Sequence, residues 1–281
     1  MIPEYSRMIE VIACSADPVQ LIEDIRIYTN WVLVKTGKWS LSTVFRGMPG
    51  FDDTLGMGTW MGDWLGKPGL ESALELLSSR ETIKRAVGMA CLKSLLPVSA
   101  CVLPGTAIDM FEAASAHVPI CFIGHFKTGA QWREMGRPVT IVELFPRPGD
   151  IHWKDADEAL GKAQIVLMSG LTVVNETLPA VVARTPSARI RVLMGPTVPP
   201  SPVFFDYGID MLGVTLVRDM ESMERYARLG GGSIAYSPLG ALERINMVRR
   251  PEDIRQKLDS ILPRKTGNIN IKESRNVAEK N

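Results

Sequence analysis

The sequence predicts an α/β protein in two parts: an α+β N-terminal domain over residues 1–102, then a Rossmann-like parallel-sheet domain over residues 103–262. Three observations predict this. After Pro104-Gly105, short and almost wholly apolar runs recur, the mark of strands buried on both faces. Helical stretches separate those runs, and strand-helix-strand alternation means a parallel sheet with right-handed crossovers. Before Pro104 the order differs, with a strand pair first and helices after it.

Asp17-Pro18 opens a stretch with Val19, Leu21, Ile22, Ile25 and Tyr28 at helical spacing, which predicts a first amphipathic helix. Trp31 to Val34 and Leu41 to Phe45 read as strands joined by a turn around Gly37. A glycine-rich loop from Gly47 to Gly66 carries Trp60 and Trp64, read as pins that hold the loop to the core. Leu70 to Leu77 is helical. Ser78 and Glu81 have capping-box spacing ahead of a longer helix, Arg80 to Leu96, which Pro97 stops.

The second part begins with a helix over Ala107–His117. Five strands follow, at Val118–Ile123, Val139–Leu144, Ile165–Met168, Ile190–Met194 and Met211–Val217. Helices over Thr177–Arg184 and Met220–Leu229 lie between or after them, and Gly230-Gly231-Gly232 reads as a C-cap and turn. A last helix, Pro251 to Leu262, precedes a polar tail over residues 263–281 read as disordered. The domain boundary is expected between about residues 98 and 106.

With 46 % hydrophobic and 22 % charged residues, the composition is that of a globular protein with a sizeable core. Lysine plus arginine (32) nearly balances aspartate plus glutamate (31), so no domain-wide positive field is available for nucleic acid or an anionic membrane. No apolar run reaches the roughly 18 residues of a membrane span. The acidic start, MIPEYSRMIE, is unlike a signal peptide, and a cytoplasmic location is expected. Cys14, Cys91, Cys101 and Cys121 form no C-x-x-C pair; Cys91 and Cys101 read as small core residues in a reducing compartment, while Cys121 lies inside a strand that leads to the candidate site. A homo-oligomer is compatible with this reading.

Ligands of an open parallel sheet sit outside the carboxyl ends of its strands. Those ends carry Gly124 and His125, then Glu143, then Ser169, Gly170, Thr172 and Asn175, then Gly195, Pro196 and Thr197. Glycine lets backbone approach a ligand, and hydroxyls ahead of a helix offer caps and anion contacts. Glu143 lies 19 residues after Gly124, close to the spacing at which a Rossmann acid reads a ribose hydroxyl. However, Gly124-His125-Phe126-Lys127-Thr128-Gly129 is neither G-x-G-x-x-G nor a Walker A loop. His117 and His152 read as surface residues. His125 and Glu143 are the candidate ligands of a divalent transition metal, and neither H-E-x-x-H nor a paired-carboxylate signature points to catalysis.

Ser169-Gly170-Leu171-Thr172-Val173-Val174-Asn175-Glu176-Thr177 and Met194-Gly195-Pro196-Thr197-Val198-Pro199-Pro200-Ser201-Pro202 resemble segments of the prokaryotic heavy-metal chelation family. Gly208-Ile209-Asp210, Val217-Arg218-Asp219 and the triple glycine extend the resemblance. It implies an enolase-N-terminal-like domain followed by a Rossmann-like domain, with the binding site in the cleft between them. It also implies a metal ion or metal complex as ligand and a link to metal-cofactor metabolism. The resembled family's long helix usually carries an asparagine near Ala90-Cys91-Leu92-Lys93, and here Lys93 occupies that neighbourhood. An enzyme holding a nucleotide-bearing or phosphorylated small molecule at the strand ends is the alternative.

Overall fold

The computed structural model describes residues 3–45, 57–98, 101–103, 105–233 and 237–262. The glycine-rich stretch up to residue 56 and the tail from Pro263 lie outside the described residues. The N-terminal half contains helix α1 (Pro3–Ala13), strands β1 (Asp24–Ile27), β2 (Trp31–Thr36) and β3 (Lys38–Thr43), and helices α2 (Met57–Gly62), α3 (Gly69–Ser78) and α4 (Thr82–Leu95). The rest runs β4 (Cys101–Leu103), β5 (Ile120–Ile123), α5 (Lys127–Glu134), β6 (Val139–Glu143), β7 (Ile151–His152) and α6 (Asp157–Lys162). Then follow β8 (Ile165–Ser169), α7 (Leu171–Val174), α8 (Leu178–Arg184), β9 (Ile190–Gly195), β10 (Met211–Val217), α9 (Met220–Arg228), β11 (Leu242–Val248) and α10 (Pro251–Ile261).

These strands form two sheets. The small one is antiparallel, β1-β2-β3, and the large one has the order β4-β11-β10-β9-β8-β5-β6-β7. Six neighbouring strands of the large sheet, from β10 to β7, are parallel. β11 runs antiparallel to both β10 and β4, so the sheet is mixed and mostly parallel. Leu242-Glu243-Arg244 is exposed enough to look like a loop in sequence, and the ladder with β10 makes it a strand.

The apolar runs form strands because both faces are covered. In β5, Cys121 and Ile123 enter a cluster shared with α1, α3 and α4, while Ile120 and Phe122 enter the cluster under α10. The first cluster also takes Val32 and Val34 from the small sheet, so one apolar layer joins the halves. On the other face of the small sheet, Trp31, Leu33 and Leu41 pack on Met223 and Ala227 of α9. Arg26 and Tyr28 both donate to Glu224 there, at 2.5 and 2.9 Å.

Three local expectations are corrected. The helix expected from Asp17 to Tyr28 is absent. Asp17 accepts from Val19 N in a local turn, and residues 24–27 pair with β2, where β-branched Ile25 and Ile27 fit an extended edge. The helix expected over Ala107–His117 is two 3-10 turns, Asp109–Phe111 and Ala114–Ala116, whose tighter path puts Phe111 and Ala114 into the core. The capping box is not made: Ser78 ends α3 and its hydroxyl donates to Glu75 O, while α4 begins at Thr82 without a side-chain cap. Among the described residues, no helix is long and apolar enough to cross a membrane.

Candidate functional site

Strand order in the large sheet reverses between β5 and β8: the chain steps outward through β6 and β7 on one side and through β9 and β10 on the other. The crossover connections therefore leave from β5 and β8 in opposite directions, opening a crevice at their carboxyl ends. A cavity of about 180 Å³ lies there, lined by residues that include Gly124, His125, Glu143, Ser169, Thr172 and Asn175. Close approach of the two strand ends requires glycine at 124. Its φ is +107°, and a Cβ there would sit 3.0 Å from Ser169 Cβ.

The polar groups are held by short-range bonds. Glu143, at the end of β6, accepts from His125 N (2.6 Å) and from its neighbour Leu144 N (3.1 Å). It thereby fixes the turn that presents His125. The His125 ring is bonded through Nδ1 to Asp150 Oδ2 (2.9 Å). Asp150 has a fully buried side chain and also receives Arg133 Nη1 (2.9 Å) and Arg147 N (3.1 Å). Burial alone would raise its pKa; the bonds from His125, Arg133 and Arg147 outweigh burial and hold the carboxyl below its ordinary range. On the opposite wall, Thr172 donates to Ser169 O (2.8 Å), and Asn175 Oδ1 accepts from Thr177 N and Oγ1. Beyond Asn175, Glu176 takes a left-handed φ of 63° and pairs with Arg85 of α4 at 2.6 Å.

Several lining residues were not legible in the sequence. Phe45 arrives from the segment after β3, and Trp153 from a 3-10 turn after β7, where Arg184 stacks on its ring at 4.1 Å. Phe126 and Leu171 complete an aromatic and aliphatic wall. Asp150 has a weak signal at best, since Gly149-Asp150 reads as ordinary turn chemistry.

Four of the expected site residues do not line this cavity. Gly170 packs against the next loop; a Cβ there would lie 2.7 Å from Val198 Cγ2 and 2.9 Å from Val198 N. Gly195 has a φ of +124° and its carbonyl accepts from Val198 N. Thr197 is buried, with its hydroxyl accepting from Thr43 N of β3 at 3.1 Å. The Pro196 carbonyl accepts from Lys93 Nζ, which also donates to Leu41 O at 2.8 Å. The end of β9 is thus spent on docking the small sheet and α4. Lys93 is buried with no carboxylate partner among the described residues, and desolvation pushes its pKa down to about 7.

The donor set bears on metal directly. Among the described residues, no group of three or more His, Cys, Asp or Glu is arranged to hold a metal ion. Cys91 and Cys121 are buried, their thiols pushed up to about 12 by burial, and neither lines the cavity.

A family model described as "Putative heavy-metal chelation" (DUF364) matches residues 106–246. The chain belongs to the DUF364 family. A second family model with the same description (DUF4213) matches residues 10–96. Two solved DUF364 structures of unknown function share the fold. One, from Desulfitobacterium hafniense, has a TM-score of 0.74 at 18% identity, covering 87% of this chain and 99% of its own. The other, from Pyrococcus horikoshii, has a TM-score of 0.66 at 16% identity, with the same coverages. None of the functionally curated proteins matches the sequence.

Proposed function

We propose that the protein binds a metal ion or a metal complex in the cavity at the ends of β5, β6 and β8, between the two halves of the chain, and acts in the cytoplasm. The observation that carries this is His125, which lines the cavity and is bonded through Nδ1 to Asp150 behind it. A carboxylate on one ring nitrogen fixes the tautomer and orientation of the other, the arrangement that metal-binding histidines usually have. The family description supports the same direction. The reading treats the chain as two units meeting between α4 and β4, and the separate matches to residues 10–96 and 106–246 support that division.

The test is elemental analysis of freshly purified protein, followed by calorimetric titration with zinc, nickel and cobalt. His125→Ala is expected to lose most of the metal binding and Thr172→Ala far less. Wild-type protein that binds none of these metals, free or complexed, would remove the reading.

A second reading has its own support. Glu143 ends the second parallel strand out from the reversal, where a carboxylate can accept from a ribose diol, so a nucleotide-bearing or phosphorylated substrate remains the rival. At about 180 Å³ the cavity is below the roughly 300–1,000 Å³ of drug-sized sites, which argues against a whole dinucleotide. Titration with nucleosides and sugar phosphates separates the two.

A further inference from the structure

Heavy-metal ions are held by several soft or borderline donors converging on one point, commonly three or four thiolates or imidazoles. Among the described residues the cavity offers far fewer. Both carboxylate oxygens of Glu143 accept backbone N–H groups, and Asp150 is shared among His125, Arg133 and Arg147. No cysteine lines the cavity. Among the described residues one good donor is left, His125 Nε2, because Nδ1 is committed to Asp150.

What surrounds that nitrogen suits an organic molecule better than an aqua ion. Phe45, Phe126 and Trp153 supply apolar rings to the lining. With Oδ1 of Asn175 taken by Thr177, its amide N–H groups are available to an acceptor. The Ser169 hydroxyl accepts from Leu171 N at 3.3 Å and keeps its own proton to donate. One lone pair, two polar donors and an apolar wall match a metal whose other positions are filled by a small carboxylate-bearing chelator.

We propose that the site does not chelate a bare heavy-metal ion but receives a metal already held by a small organic chelator, with His125 Nε2 filling an open coordination position. This rests on the reading that the cavity handles metal. In it, Asp150 is a positioning residue, and the metal complex is cargo.

The experiment uses tag-free, full-length protein and two kinds of probe: aqua Cu(II) or Ni(II), and the same ions as Cu(II)–iminodiacetate or Ni(II)–nitrilotriacetate. Calorimetry is expected to show one chelate per chain, bound at least tenfold more tightly than the aqua ion. With histidine labelled by ¹⁵N, the copper electron-spin resonance spectrum should show one coordinated imidazole nitrogen, a readout that needs no variant to fold. His125→Gln should abolish the chelate binding and the imidazole signal, while His152→Gln should leave both unchanged. Asp150→Asn should weaken binding roughly ten- to a hundredfold, the usual effect of removing a carboxylate behind a ligating histidine. Aqua ion bound as tightly as chelate, or chelate binding that survives His125→Gln, overturns the inference and leaves the metal reading standing. Failure of both forms to bind overturns both.

Discussion

The carboxyl ends of β5 and β8 and that of β9 carry the same residue chemistry, and the fold puts it to opposite uses. Gly124, His125, Ser169 and Thr172 border an open cavity. Gly195, Pro196 and Thr197, one strand further out, meet β3 and α4: Thr197 takes the Thr43 amide, and Pro196 accepts from the Lys93 side-chain nitrogen. Small and hydroxylated residues at a strand end therefore supply close approach and hydrogen bonds to whatever arrives. At the strand reversal that is a ligand-sized space; beside it, it is the protein's other half.

The contrast is broken most severely by adding bulk where the seam is tightest. Gly170→Ala would force a Cβ against both the amide and the side chain of Val198. The backbone cannot retreat without moving the loop that holds Thr197. A loss of stability of about 1–3 kcal/mol is expected, in the range of overpacked cores, read as a lower denaturant midpoint with unchanged slope.

Lys93 sharpens the contrast through pH. Its amine has a folded pKa of about 7 against the ordinary value of 10.5, so the unfolded chain binds the extra proton between those limits. Stability should then rise with pH above about 7, by up to about 1.4 kcal/mol per unit from this one group. Above pH 9 the buried thiols Cys91 and Cys121 oppose it, because they ionise first in the unfolded chain. Denaturation of wild type and Lys93→Met between pH 7 and 8.5 isolates the effect. The variant should lose the upward slope while the wild type keeps it; parallel slopes would mean that Lys93 is charged in the fold.

These two regions also mark what the sequence could say. The strands β5, β6, β8, β9 and β10 were legible because a strand covered on both faces must be apolar at nearly every position. β1 and β11 were not, since each is half exposed and becomes a strand only through its neighbour's ladder. At the site, the rule of strand ends pointed to Gly124, His125, Glu143, Ser169, Thr172 and Asn175. It could not separate them from Gly170, Gly195, Pro196 and Thr197, because only tertiary docking decides which end stays open. Asp150 and Phe45 were silent for a related reason: Asp150 reaches the site from a turn and Phe45 from the segment after β3, and the local sequence of each has its own explanation.

One matched pair of threonines tests the contrast at single-bond level, and its Thr172 member carries the smallest expected effect on stability. Thr197→Val keeps the shape and removes the acceptor for Thr43 N, a part-buried amide that no other described residue is seen to satisfy. A stranded amide costs about 1–3 kcal/mol, so stability should fall while binding of a metal chelate stays unchanged. Thr172→Val removes only a hydroxyl that donates to Ser169 O three residues back. That bond is local and re-forms in part with the chain unfolded, so the stability loss should be nearer 0.5 kcal/mol, at the lower end for a single hydrogen bond. Because Thr172 and Ser169 both border the cavity, chelate binding should weaken a few-fold. The two variants should therefore cross over, one losing stability and the other affinity. If Thr197→Val instead weakens the chelate as much as Thr172→Val does, the seam and the cavity act as one site, and the division drawn between the two strand ends is wrong.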